Sequence, residues 1–276
     1  MTLSPPDPSG MQSMWASREA AQTWREGQAA RANLLGSASE KMLDLAHIGL
    51  GSRVLDIATG TGDQALMAVA RVGPTGSVLA TDISDSMVAV AAAAAREAGF
   101  TNVTTAVLDA QHLDLEADTF DAVISRNGLM FAPDLHETLI GIRRVLKPGG
   151  RLAAIVWSAP EKNPAIALPM QVVNHYGTLP RPAGQQGPFA LGVPGVLASA
   201  FDEGGFREVS VTSIPLVYRF ASLAAFMQSR RVESAGPLRA IMEKLSETER
   251  ERMLGEIEEQ LRQFEGPHGF EAPGVG

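Results

Sequence analysis

The chain has 276 residues, with 23 Lys and Arg against 31 Asp and Glu, a formal charge of −8, 45% hydrophobic residues and no cysteine. That length allows one embellished domain or two small ones, each able to bury a real core. The missing cysteines exclude disulfides, thiolate metal sites and thiol nucleophiles, and the acidic balance argues against nucleic acid as a partner, because phosphate contacts need a basic face.

Residues 1–10 carry three prolines and no basic, apolar signal pattern, which predicts a disordered leader. Met11 to Gly49 is Ala-rich and helix-prone, with Trp15, Trp24, Leu34, Leu35, Met42, Leu43 and Leu45 as candidates for burial. From Arg53 onward short apolar runs alternate with helical stretches, the pattern of βαβ units around a parallel sheet. Strands are predicted at Arg53–Ala58, Ser77–Ile83, Val103–Asp109, Phe120–Arg126 and Arg151–Trp157. Ser84 is placed to cap a helix that Gly99 closes, Pro133 suits a first helical turn, and Lys147 to Gly150 stops the helix before the fifth strand. The longest unbroken apolar run, Met87 to Ala95, is far short of the ~20 residues needed to cross a bilayer, so no membrane span and a cytoplasmic location are expected.

Beyond the fifth strand, Ala159 to Tyr176 is partly helical, and Gly177 to Gly195 is rich in Pro and Gly, a plain surface loop or a lid. Val196 to Phe206 reads as a helix ending at Gly204 and Gly205. Val209–Ile214 reads as a further strand, which Pro215 confines to a sheet edge. The last helix is marked by a Ser246/Glu249 capping box and an apolar face of Met253, Leu254, Ile257, Leu261 and Phe264.

The chemistry begins at Asp56-Ile57-Ala58-Thr59-Gly60-Thr61-Gly62-Asp63, where a strand ends in an acid, a glycine turn follows and a helix opens. Glycines let the backbone approach a ligand, and the new helix presents unsatisfied N–H groups. The glycines alone fit NAD or S-adenosylmethionine (SAM), since Gly60 to Ala65 also matches G-x-G-x-x-A. Three acids at successive strand ends favour SAM. Asp56 can accept from a methionine amino group or brace the turn, Asp82 can hold ribose hydroxyls, and Asp109 with Ala110 suits an adenine edge. The dinucleotide reading is further disfavoured by the fifty or so residues that precede the loop and by the lack of a Tyr-x-x-x-Lys dyad.

Residues 53–158 resemble a class I SAM-dependent methyltransferase, and more narrowly its ubiquinone/menaquinone C-methyltransferase branch. The matching pieces are Val54 to Asp63, Thr81-Asp82-Ile83-Ser84 with Met87, Phe120-Asp121-x-Val123, and Arg144 to Gly150. The resemblance implies an α/β, Rossmann-like, mostly parallel sheet with helices on both faces. It also implies SAM contacts at Asp56, Ala58, Thr59, Gly60, Gly62, Asp82, Ile83, Met87, Asp109, Ala110, Arg126 and Asn127. Ala58 stands where the broad superfamily pattern has its first glycine. On this reading residues 11–276 form a single methyltransferase domain: a helical cap at 11–49, a SAM-binding core at 53–158, a lid and acceptor region at 159–206, and an edge strand with C-terminal helices at 207–276. The superfamily sheet closes on an antiparallel strand, and the chain ends at Gly276 just where that strand is due, so it is expected to be missing, absent by truncation or borrowed.

The resemblance implies direct in-line methyl transfer to a small, apolar or aromatic acceptor, C- or O-methylation over N-, with S-adenosylhomocysteine as product. A non-catalytic SAM-binding protein and an NAD-dependent oxidoreductase are the alternatives. Such a transfer needs alignment in a dry site, and a base only where the acceptor must lose a proton. His175, following the fifth strand, is the candidate base; His136, His112, His47 and His268 are weaker placements. Arg126 is a candidate for the reacting centre, holding an anionic acceptor or the SAM carboxylate, or else a strand-end salt bridge. Trp15, Trp24 and Arg31 lie on the helices expected to cover the pocket. No His/Asp/Glu cluster has metal-ligand spacing, so no metal is expected. A small-molecule acceptor is the expected partner, and no oligomeric state follows from the sequence.

Overall fold

The computed structural model describes residues 17–177, 187–233 and 241–276. The expected leader and Trp15 lie outside these residues, as does the middle of the Pro/Gly-rich stretch. The chain opens with α1 (Arg18–Glu26), capped by the Ser17 hydroxyl accepting from the Ala20 amide, and α2 (Gln28–Leu45). Leu35, Met42 and Leu43 are buried and Leu34 is partly so, but Leu45 is exposed. Two residues beyond Leu43 is about 200° around a helix, which turns Leu45 to the opposite side.

A five-stranded parallel sheet follows: β1 (Arg53–Ile57), β2 (Ser77–Asp82), β3 (Val103–Val107), β4 (Phe120–Arg126) and β5 (Leu146–Ile155), in the order β3-β2-β1-β4-β5. The connecting helices are α3 (Asp63–Val72), α4 (Asp85–Glu97) and α5 (Leu135–Val145), and helices cover both sides of the sheet. Ser84 caps α4 by accepting from the Met87 amide. Asp134 rather than Pro133 caps α5, because its carboxylate accepts from the Glu137 amide and leaves the proline one position outside. The two central strands, β1 and β4, carry Val54, Leu55, Val123 and Ile124, all fully buried. Strands covered on both faces need such continuous apolar runs. The strand order reverses where β1 pairs with both β2 and β4, and that reversal opens a crevice at the carboxyl ends.

The remaining elements are α6 (Pro164–Tyr176), α7 (Val196–Glu203), β6 (Pro215–Phe220), α8 (Leu223–Glu233), α9 (Glu247–Leu261), β7 (Glu265–Gly266) and β8 (Gly269–Val275). Ser246 and Glu249 form the expected capping box on α9, and Met253, Ile257 and Leu261 are its buried face. Two expectations are overturned here. The strand assigned to Val209–Ile214 lies one element later, at Pro215–Phe220, where Leu216 and Tyr218 are buried in alternation and Pro215 opens an edge strand; Val211 is solvent-exposed. The chain does end in an antiparallel strand, although it belongs to a second sheet and adds no strand to the parallel one. β8 pairs antiparallel with β6 from Pro215↔Val275 to Phe220↔Phe270, in a smaller sheet of order β6-β8-β7.

The smaller sheet is fastened beside the end of β5 by one buried amide. Asn163 accepts from the Val275 amide at 2.9 Å and donates to the carbonyls of Val275, Ser158 and Ala159 at 3.1, 3.2 and 3.3 Å. The Ser158 amide also donates to the Val275 carbonyl. Phe226 of α8 stacks on Phe270 of β8 with centroids 4.5 Å apart, which holds the helix to the strand.

Candidate active site

A cavity of about 1100 Å³ lies at the carboxyl ends of β1, β2 and β4 and runs out beneath β6, α8 and α9. It exceeds the roughly 300–1,000 Å³ usual for one small ligand. Its two halves differ in chemistry.

The polar half is built on the glycine loop. Asp56 stands beneath this loop, fully buried. One carboxylate oxygen accepts from the Thr59 hydroxyl at 2.6 Å and the other from the Gln64 amide at 3.1 Å. Of the two roles open to it, bracing the turn is the one these bonds perform, since no part of it lines the cavity. Burial raises its pKa to about 7, against the lowering effect of those hydrogen bonds and of Arg126. Ala58 has φ +56°, in the left-handed region where a Cβ is costly, which explains the usual glycine at that position. Gly62 also turns away from the cavity: a Cβ there would sit 3.1 Å from Ala91 of α4, so its missing side chain serves helix packing.

Asp82, at the end of β2, accepts from the Gly60 amide at 2.9 Å and the Ser84 amide at 3.0 Å while lining the cavity. Burial raises its pKa although these amides stabilise the charge. Asp109 lines the wall beyond β3 and accepts from the Gln111 amide at 2.9 Å. Thr59, Gly60, Ile83, Met87, Ala110, Arg126 and Asn127 join Ala58 on the wall as well.

Asp63, a residue to which the sequence assigned no role, organises the other side. Its Oδ2 accepts from Arg31 Nε at 3.0 Å and from Arg126 at 3.1 Å, and all three side chains are nearly buried. Arg126 also donates to Ser39 at 3.0 Å, while Arg31 donates to the Trp24 carbonyl and lies over the Trp24 ring, 4.4 Å from its centroid. Two guanidiniums therefore share one carboxylate, and both arginines line the cavity. Burial pulls the Arg126 pKa down while Asp63 draws it back, so an anion brought into the cavity would relieve an unbalanced positive charge. Asn127, held at φ +58° with its main-chain N–H donating to the Ile155 carbonyl, has a buried Oδ1 without a hydrogen-bond partner among the described residues. An orphaned acceptor on a cavity wall is a place for a ligand N–H.

The apolar half is walled by Leu34, Trp157, Met170, Val173, Phe226, Met242 and their neighbours. On α6 the wall is formed by Ile166, Pro169, Met170 and Val173, one helical face. His175, the expected base, is exposed, off that face and outside the cavity lining, so the structure does not bring it to the site. The other four histidines are also exposed, and none lines the cavity.

The ubiE/COQ5 methyltransferase family model matches residues 38–181, more than half of the chain. The chain belongs to that family. Among curated relatives, the Ubiquinone/menaquinone biosynthesis C-methyltransferase UbiE of Teredinibacter turnerae is 40% identical over 122 residues, 44% of this chain and 49% of the relative. The chain thus spans about half the length of the curated relatives it matches. A SAM-dependent methyltransferase from Aquifex aeolicus shares the fold with a TM-score of 0.54 at 22% identity, over 70% of this chain and 91% of that one. The [4+2]-cyclase SpnF shares it too, with a TM-score of 0.52 at 18% identity over 87% of this chain and 78% of that one. Family membership sets aside the dinucleotide reading of the glycines. The cyclase shows that this fold does not by itself dictate the reaction.

Proposed function

We propose that the protein transfers a methyl group from SAM to a small, largely apolar acceptor, favouring carbon or oxygen over nitrogen. The observation that carries this reading is the division of one cavity into a polar half matched to the cofactor and an apolar half beside it. The residues fit SAM piece by piece: Asp82 offers a carboxylate to ribose hydroxyls, Asp109 and Ala110 an edge to adenine, Asn127 Oδ1 an acceptor to an amino group, and Arg31 with Arg126 a cationic pair to a carboxylate. When bound there, SAM supplies an electrophilic methyl on a sulfonium.

The protein's own contribution is alignment and exclusion of water. Leu34, Trp157 and Met170 surround the acceptor with apolar surface, and the methionines adapt their shape to it. Among the described residues of that half there is no His, Lys, Asp or Glu, so the acceptor must be acidic enough to ionise without a strong base. An amine would enter as an ammonium ion, and no carboxylate among the described residues of that half would receive it, which is the physical support for carbon or oxygen over nitrogen.

Calorimetry with S-adenosylhomocysteine and NAD tests the cofactor. S-adenosylhomocysteine should bind and NAD should not. Asp82→Asn should weaken binding by about 100-fold or more, the loss of two hydrogen bonds to a charged group at ~1.5–3 kcal/mol each. Equal affinity in the variant would refute the assignment. Transfer of label from SAM to hydroquinones and naphthols then tests turnover; binding without transfer would leave a non-catalytic SAM-binding protein.

A further inference from the structure

The arginines of the cavity are not equally committed. Arg31 donates from all three of its nitrogens, to Asp63, the Trp24 carbonyl and Thr61, and Arg126 donates to Ser39 and Asp63. Arg219, on β6, spends only Nε, on Glu271 at 3.1 Å across the β6–β8 pair. Its two terminal nitrogens make no hydrogen bond among the described residues. It lines the same cavity, yet it stands among Val217, Phe220 and Ala221, in the apolar half. It is the single charged side chain of that half among the described residues.

Resting on the methyltransferase reading above, we propose that Arg219 selects the acceptor, and that the acceptor is an apolar acid whose carboxylate is held at the rim while its body fills the cavity. Arg219 and Glu271 are 69% and 59% exposed, so their pairing is weak and readily exchanged. The four N–H bonds left on the guanidinium form the planar fork that suits a carboxylate. The apolar walls supply what Glu271 cannot, because burial of the ligand's hydrocarbon delivers its carboxylate to the rim at high local concentration. The overall charge of −8 makes such a local cation more valuable for drawing in an anion.

Decanoate and decanol, which share a chain and differ in charge, are the probes. They are titrated calorimetrically into the full chain saturated with S-adenosylhomocysteine. Decanoate should bind roughly tenfold more tightly than decanol, the equivalent of one exposed charge-assisted contact. Arg219→Gln should remove that preference by weakening decanoate while leaving decanol and S-adenosylhomocysteine unchanged. Glu271→Gln, which deletes the competing carboxylate, should tighten decanoate about threefold. Equal binding of both probes, no binding of decanoate, or an unchanged ratio in Arg219→Gln would overturn the proposal. None of those results touches the cofactor reading, which fails only if S-adenosylhomocysteine itself does not bind; the probes are then titrated into the unliganded chain, and the same ratios decide.

Discussion

Asp56→Asn should make the protein's stability far less dependent on pH. The carboxyl is fully buried and its pKa is raised to about 7, from 3.8 in the unfolded chain. The folded protein therefore holds the proton more tightly than the unfolded chain, and the stabilisation is complete below pH 3.8. It is lost as pH rises from about 4 through about 7. A difference of about three pKa units, at 1.36 kcal/mol each, sets a ceiling of ~4 kcal/mol. Asparagine cannot ionise, and it keeps one carbonyl oxygen for Gln64 while the Thr59 hydroxyl reorients to accept. Urea unfolding of both proteins between pH 4 and 8 measures the effect, and carboxylates common to both largely cancel in the difference. The stability of Asp56→Asn relative to the parent should rise by about 2–4 kcal/mol across that interval. Parallel curves would refute the idea that burial beneath the loop keeps this acid protonated.

Two further outcomes follow from the site. Gly128→Ala would place a Cβ 2.6 Å from the Ala58 Cβ and 2.7 Å from Ser125 Oγ. It should cost about 1–3 kcal/mol in urea unfolding and weaken S-adenosylhomocysteine binding by displacing the loop; full stability would disprove the close approach. His175→Ala, whose side chain is exposed and off the cavity wall, should leave the turnover of labelled SAM within about twofold of the parent, because loss of one base contributes 10²–10⁴-fold where a base is used. A tenfold loss would return this residue to the reacting centre.

The polar half of the cavity was legible because its determinants are local. Asp56, Gly60 and Gly62 fall within seven consecutive residues, and Asp82 and Asp109 close the next two predicted strands. Arg31 was read only as part of the covering helix. Its meeting with Arg126 at Asp63 joins residues 32 and 63 positions apart, which no periodicity records. The apolar half was hidden for a different reason. Its walls come from α2, α6, β6, α8 and α9, each contributing a few side chains that read in sequence as ordinary core. β8 was missed because the sequence was read as ending where a last strand is due, although Gly269–Val275 is long enough to form one. Its Pro273 is tolerated because β7 pairs only with Gly269 and Phe270, so farther along β8 that side of the strand carries no ladder partner among the described residues.

The Asn163 amide has a consequence for how the apolar half of the cavity can change during evolution. It lies inside the stretch matched by the family model, which stops at residue 181, whereas β6, α8, α9 and β8 all lie beyond it. Asn163 grips only the main chain of its distant partner, the N–H and C=O of Val275. A socket of that kind is blind to side-chain identity, so a rewritten apolar wall could be plugged into the same glycine-loop platform if its last strand returned to present one peptide group.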